Sequence, residues 1–221
     1  MMVEKAKKIM VFAAHPDDEI IGCGGSIAKY VDSGKNVEIA YMTSSNDGEK
    51  NSREEEARCA TDILGVHDIF FFREPDRDVS YNKKILNRVI RLLRNRRPDM
   101  VFSPHPEEGD RDHRATYEIV NEATWLASSP YFPYLGRSYN ISSLLFYEVW
   151  TPLRDFQLVE DVTGFMDRKM NALQQYQSQL STVRYDDAIR GLNRYRGIMT
   201  GVGGYAEVFG IKFLKKSLVT M

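Results

Sequence analysis

Apolar and polar residues follow one another along the chain in two different periods, and the switches between them mark its elements. Residues 8–14 (KIMVFAA) form an unbroken apolar run, the pattern of a strand buried on both faces. Residues 21–34 (IGCGGSIAKYVDSG) then read as a helix closing at Gly34. A second strand is expected over 37–43 (VEIAYMT), followed by a polar loop over 44–51. Ser52 with Glu55 three residues on has the form of a capping box opening a helix over 53–65. A third strand is expected at 68–72 (DIFFF). Ile85, Val89, Ile90, Leu92 and Leu93 recur at helical spacing within 83–96, and Pro98 stops that helix. The fourth strand is 99–103 (DMVFS), broken by Pro104 and Pro106, and 113–127 is the next helix. After Ala127 a stretch rich in Pro, Tyr and Ser reads as a surface loop. Strands over 142–150 and 155–162, helices over 164–180 and 185–199, and an extended tail over 201–213 complete the chain.

The strand–helix alternation through residue 127 predicts an α/β, Rossmann-like fold, a mostly parallel sheet with helices on both faces. With no internal repeat and no low-complexity linker, one domain over 1–221 is expected. At 43% hydrophobic the chain can bury a sizeable core. Its 30 Lys+Arg and 31 Asp+Glu leave a net charge of −1 without a long run of one sign, which speaks against a broad basic face for nucleic acid. Arg88, Arg91, Arg94, Arg96 and Arg97 read as a solvated helix face. Cys23 and Cys59 have no CxxC partner and read as small buried residues. No signal-peptide core and no apolar stretch long enough to span a bilayer are seen, so a cytoplasmic protein without an integral membrane segment is expected.

The chemistry gathers just beyond two strands. In an open parallel sheet, residues past the carboxyl ends of the strands line a shared crevice at the point where strand order reverses. In a 3-2-1-4 order, strands one and four are neighbours there, which brings the HPDDE run (15–19) toward the stretch ending at His113. Alone, His-Pro is a turn and Asp-Asp before an apolar run is an N-cap pair. Together, His15, Asp18 and His113 form a two-imidazole, one-carboxylate set of the kind that holds zinc with an open position. Asp17, between the ligands, is the carboxylate available to take a proton from the attacking water. Glu19 fits the first turn of the following helix, where the macrodipole favours anions. The glycines of GCGG (Gly22, Gly24, Gly25) lack the GxGxxG spacing of a dinucleotide site, and the preceding carboxylates would repel a pyrophosphate. They serve close packing of the helix on the sheet or close approach of a ligand.

The stretch AHPDDEIIGCGG resembles the hallmark of the LmbE-like, or PIG-L, deacetylases. SREEEARCATDILGV is similar to their R-x-x-E-x-x-x-A-x-x-LG pattern at Arg53, Glu56, Ala60, Leu64 and Gly65. TSSNDGE, HRAT, KMNALQQYQSQ and YAEVF resemble further family segments. The resemblance implies a zinc hydrolase that removes the acetyl group from N-acetylglucosamine in a sugar conjugate or saccharide. His15, Asp18 and His113 would be the zinc ligands, Asp17 the general base and Arg53 a substrate contact. The family pattern before the last ligand is H-P-D-H, whereas this chain has DRDH. Asp112 and His113 are retained, and Asp110 replaces the histidine that in relatives helps to stabilise the tetrahedral intermediate. An aspartate polarises a carbonyl only when protonated, so Arg111, His105 and Arg53 are the alternatives for that role. Asp112 would orient an imidazole or cap the helix. Tyr131, Phe132, Tyr134, Tyr139 and Trp150 would either stack on sugars or pack their loop. The resemblance is compatible with a homo-oligomer, which no residue pattern shows. Two other readings are a divalent-metal phosphohydrolase or phosphodiesterase, which two histidines disfavour for magnesium, and a sugar-binding relative impaired by the change at Asp110.

Overall fold

The computed structural model describes residues 5–44 and 50–214. Residues 45–49 of the polar loop expected after the second strand fall outside the described residues, and the helix that follows begins at Lys50, so Ser52 lies inside it rather than at its N-cap. Seven strands form one sheet in the order β3-β2-β1-β4-β5-β7-β6. They are β1 (Lys8–Ala13), β2 (Asn36–Thr43), β3 (Asp68–Glu74), β4 (Met100–Pro104), β5 (Ser143–Tyr147), β6 (Leu158–Asp161) and β7 (Ala206–Leu214). The first five are parallel, with β1 paired to both β2 and β4. The extended tail is β7, which enters antiparallel between β5 and β6.

The unbroken apolar run of β1 follows from burial on both faces, since successive side chains alternate across a sheet. Ile9, Val11 and Ala13 join the core beneath α1 (Asp18–Asp32), α2 (Lys50–Leu64) and α5 (Met166–Leu173). Met10 and Phe12 face the other core, under α3 (Lys83–Arg96) and α4 (Arg111–Ala127). Among the described residues the other α-helices are α6 (Gln177–Leu180) and α7 (Tyr185–Thr200). No helix among the described residues is long and apolar enough to cross a membrane.

The structure corrects several expectations. The helix expected over 164–180 breaks between α5 and α6. There Tyr176 turns inward so that its hydroxyl donates to Glu19 Oε1 at 2.8 Å, while Ser178 donates its N–H and hydroxyl to Glu56. Of the arginines read as a solvated face, Arg91 and Arg97 are exposed, but the other three are engaged with the fold. Arg94 is 2% exposed and donates to six carbonyl oxygens of the segment 126–136, so it laces the post-127 loop onto the core. Arg88 and Arg96 pair with Glu74 and Glu38 and lie over the rings of Phe72 and Phe70 on the edge strand β3. Cys59 is exposed, whereas Cys23 is buried as expected.

The GCGG glycines serve packing. A Cβ on Gly22 would stand 2.1 Å from the Tyr147 ring and 2.8 Å from the Glu148 carbonyl oxygen, and one on Gly25 would stand 2.7 Å from Val162. Tyr147 cannot withdraw, because it is fully buried and its hydroxyl donates to Phe12 O at 2.7 Å. Gly22→Ala is therefore expected to destabilise the chain by about 1–3 kcal/mol through overpacking. The check is a lower urea midpoint at an unchanged m-value.

Candidate active site

The carboxyl ends of β1 and β4 deliver the two halves of the site. β1 ends at Ala13, and α1 begins at Asp18 rather than at Ile21, which places Asp18 and Glu19 in its first turn. Asp17 occupies the N-cap position, yet its side chain makes no cap hydrogen bond, so the N-cap reading of the Asp-Asp pair does not hold for it. Its φ of 120° is a strained conformation for a residue with a Cβ. The turn is held by the Ile20 and Ile21 N–H groups donating to Asp17 O and by the Asp17 N–H donating to Glu19 Oε2. Glu19 lies in the first turn as expected and is fully buried there. Burial pushes its carboxyl up to about 7, against the hydroxyls of Tyr176 and Tyr41 that donate to it.

On the other side, Asp110 is the N-cap of α4, accepting from Asp112 N at 2.7 Å and His113 N at 3.4 Å. Capping thus belongs to Asp110 and leaves Asp112 free to face His15. His15, Asp18 and His113 each bring a ligand atom to one point, all within 4.8 Å of one another. Asp18 Oδ1 is 3.2 Å from His113 Nε2, and Asp18 Oδ2 is 3.5 Å from His15 Nδ1. The imidazole centroids are 5.3 Å apart.

These residues fit a metal ion by a test internal to the structure. Asp18 Oδ1 and both nitrogens of His113 are buried and have no hydrogen-bond partner of proper geometry among the described residues, although they lie close together. Buried polar atoms left in this way are costly unless something satisfies them. The electrostatics ask for positive charge at the same point. Burial would lower the His113 imidazole, but the Asp18 carboxylate outweighs it and lifts it to about 10. The outer nitrogens are supported as those of metal-binding imidazoles usually are. His15 Nε2 faces Asp112 Oδ2 at 3.3 Å and Asp76 Oδ1 at 3.2 Å, and His113 Nδ1 lies 3.4 Å from Glu108 Oε2. His15, Asp76 and Asp112 also converge. That second cluster already faces a cation, since Arg53 Nη1 stands 3.7 Å from Asp76 Oδ2, and the His15 nitrogen it meets is the outer one.

Above this point opens a cavity of about 210 Å³, lined by His15, Asp17, Asp18, Arg53, Asp76, Arg77, Asp110, Trp150, Gln179 and Tyr185. A family model described as GlcNAc-PI de-N-acetylase, PIG-L, matches residues 10–124, which covers both halves of the site. The chain belongs to the PIG-L family. The diacetylchitobiose deacetylase of Thermococcus kodakarensis is 30% identical over 232 residues, spanning 94% of this chain and 83% of that protein. A conserved protein of Thermus thermophilus superposes with a TM-score of 0.87 at 27% identity, over 94% of this chain and 95% of its own. The N,N'-diacetylchitobiose deacetylase of Pyrococcus horikoshii, complexed with its inhibitor, superposes with a TM-score of 0.84 at 26% identity, over 94% and 84%. Like these named deacetylases, the PIG-L member described here is an amidohydrolase.

Within this PIG-L site the three alternatives for the role of the missing histidine separate. Arg53 is buried in the cavity wall, with Nη2 donating to Pro16 O at 3.1 Å and 3.8 Å from Asp17 Oδ2, and among the described residues its ion pairs are to Asp17 and Asp76 rather than to a local glutamate. Arg111 is exposed on the first turn of α4 and does not line the cavity, so the expectation of a substrate contact there is not supported by its placement. His105 is buried behind the site, its Nε2 2.7 Å from Thr151 O. Of the loop aromatics, Trp150 reaches the cavity. It stacks on His113 at 6.2 Å and against Tyr185 at 4.6 Å. Tyr139 sits at the opposite end of the sheet, near Asp99 at the start of β4, and Tyr131 and Tyr134 point to solvent.

Sequence reading missed four contributors. Asp76 follows β3, and the rule that located His15 and His113 would have reached it. Glu108 is buried and receives the N–H groups of Val149, Trp150 and Thr151, so it shapes the loop that carries Trp150. Burial would raise its carboxyl, but His105, His113 and the Val149 N–H hold it down at about 2. Gln179 and Tyr185 arrive from the C-terminal helices, and no local motif marks them.

Proposed function

We propose that this PIG-L member is a zinc-dependent N-deacetylase whose substrate is an N-acetylglucosamine unit within a sugar conjugate or short saccharide. The observation that carries this reading is the convergence of His15, Asp18 and His113, two imidazoles and one carboxylate, below a cavity that exposes the uncapped carboxylate of Asp17. A zinc ion held by these three residues would supply Lewis-acid chemistry, polarising the acetyl carbonyl and making a water nucleophilic near neutral pH.

The side chains do the rest. Asp17 takes the proton of the attacking water on a carboxylate oxygen and returns it to the departing amine nitrogen. Its affinity for that proton is raised by burial and by the charge of Asp18, and held back by Arg53 and His15. Arg53 donates to the acetyl carbonyl oxygen as that oxygen gains charge, the role for which Asp110, an acceptor at the N-cap, is unsuited. Asp112 holds the His15 ring, and Asp110 fixes the first turn that carries His113. Trp150 and Tyr185 offer an apolar wall for a sugar ring. In this reading one domain over 1–221 works in the cytoplasm on a small N-acetylated sugar and not on nucleic acid. Two imidazoles in the ligand set disfavour the magnesium phosphohydrolase alternative, and the retained ligand positions and Asp17 disfavour an impaired sugar binder.

The test is release of acetate and free amine from a panel of N-acetylglucosamine conjugates and chito-oligosaccharides, using metal-depleted protein with and without added zinc. Equal amounts of acetate and amine, restored by zinc, are expected. Hydrolysis of phosphate esters with magnesium, and no acetate from any member of the panel, would replace this reading with the phosphohydrolase one.

A further inference from the structure

Helix α1 is interrupted at Cys23, whose φ of −146° and ψ of 20° leave the helical region. In an unbroken helix the Gly25 N–H would donate to Ile21 O. Here both groups have other partners. Ile21 O receives the Lys169 ammonium at 2.8 Å, and the Gly25 N–H donates to Glu207 Oε1 at 2.9 Å. Glu207 Oε2 also accepts the Ser26 N–H at 2.7 Å. Lys169 and Glu207 pair with each other at 2.7 Å, both fully buried. A salt bridge is thus spliced into one rung of the helix, with the cation on the orphaned carbonyl and the carboxylate on the orphaned N–H groups. Asn193 completes it, accepting from the ammonium at 2.7 Å and donating to Ala206 O at 3.1 Å.

The pair is poorly suited to a role in stability alone, because well-packed apolar side chains often hold a core as firmly as a buried ion pair. Its position is what distinguishes it. The turn upstream of the break carries Asp17, Asp18 and Glu19. With that rung replaced, Lys169 of α5 and Glu207 of β7 bridge the turn side of the break, at Ile21 O, to the body of α1, at the Gly25 and Ser26 N–H groups. Both residues lie beyond 10–124, the range matched by the family model. We propose that Lys169 and Glu207 are positioning residues for the active site, holding the Asp17–Asp18 turn in register with His113 from the C-terminal part of the chain. Sharp helix kinks commonly arise where a side chain enters the ladder, and here the entering group is a charged pair.

This inference rests on the reading that His15, Asp18 and His113 hold the ion. Its test is cobalt(II) titration of metal-depleted parent and Glu207→Gln protein, followed by visible absorption, together with kcat and KM of the zinc-loaded forms well below the unfolding temperature. Glutamine keeps the volume and one acceptor but cannot neutralise the ammonium. Cobalt binding weakened by about tenfold or more is expected, with an altered absorption band. A fall in kcat of about tenfold at a KM within about twofold of the parent is also expected. A folded, less stable variant that binds cobalt and turns over like the parent would overturn the inference, leaving the pair a structural role only. Should Glu207→Gln be insoluble, Asn193→Ala, which leaves the pair intact but removes one acceptor from the ammonium, is expected to move both readouts in the same direction by less, and unchanged readouts would overturn the inference. A parent that takes up no cobalt would sink the ligand reading itself, an outcome visible without any variant.

Discussion

Asp17→Asn is expected to lower kcat by about 10²–10⁴, the usual contribution of a positioned acid–base group, while zinc binding stays close to that of the parent. The separation of the two readouts follows from the geometry. Asp17 is not among the atoms that converge on the proposed ion, and its side chain does not cap α1, so neither the ligand set nor the helix depends on its charge. Asparagine is nearly isosteric and is one of the non-glycine residues that best tolerates positive φ, so the strained turn at φ 120° is retained. What is lost is the capacity to accept a proton 3.8 Å from the Arg53 guanidinium. The check is single-turnover acetate release alongside bound zinc measured by elemental analysis. A variant that deacetylates at the parental rate would show that another group takes the water's proton. A variant without zinc would show that Asp17 belongs to the ligand set.

The parts of this site legible in the sequence are those that obey local rules. The apolar run of β1 and the strand–helix alternation through Ala127 determine a parallel sheet, and a parallel sheet determines where its crevice lies. From there His15, Asp17, Asp18 and His113 could be brought together on sequence alone, and the structure places His15, Asp18 and His113 around one point with Asp17 in the wall of the cavity beside it. Residues that act across the chain were not legible. Arg94 has the spacing of a surface arginine, and its burial depends on a loop that wraps around its guanidinium. Tyr176 lies in a stretch of good helix formers, and the break beside it follows from the partner it finds in Glu19. Lys169 and Glu207 look like ordinary charges on an amphipathic helix and an edge strand. Only the entry of β7 between β5 and β6 shows that both are buried against the break in α1. The polarity of that last strand was equally unreadable, because an extended tail carries no mark of its direction or its neighbours.

His113→Ala is expected to remove both turnover and metal-dependent stabilisation. Removing an outer partner of a metal ligand alone typically costs ten- to hundredfold in affinity, so loss of a ligand in a three-residue set is expected to cost at least about a thousandfold. The stability readout separates this from simple damage to the core. In the parent, zinc at about 100 times its Kd should add about 2.7 kcal/mol. In a chain of 221 residues that corresponds to about 5–10 °C in Tm. His113→Ala should show no such increment, whatever its Tm without metal. That baseline is informative in its own right. Truncating a fully buried side chain ordinarily costs packing energy. Here it also deletes two buried nitrogens that make no hydrogen bond within the described chain. In the metal-free parent the imidazole also faces the buried Asp18 carboxylate at 3.2 Å, so the metal-free variant should lose that pairing as well as the packing, and the zinc-loaded comparison should show a larger loss still. Thermal scans of parent and variant with chelator and with zinc give all four values. A zinc-dependent rise in Tm that survives in His113→Ala would mean that the ion sits elsewhere, and the open set formed by His15, Asp18 and His113 would no longer account for the activity.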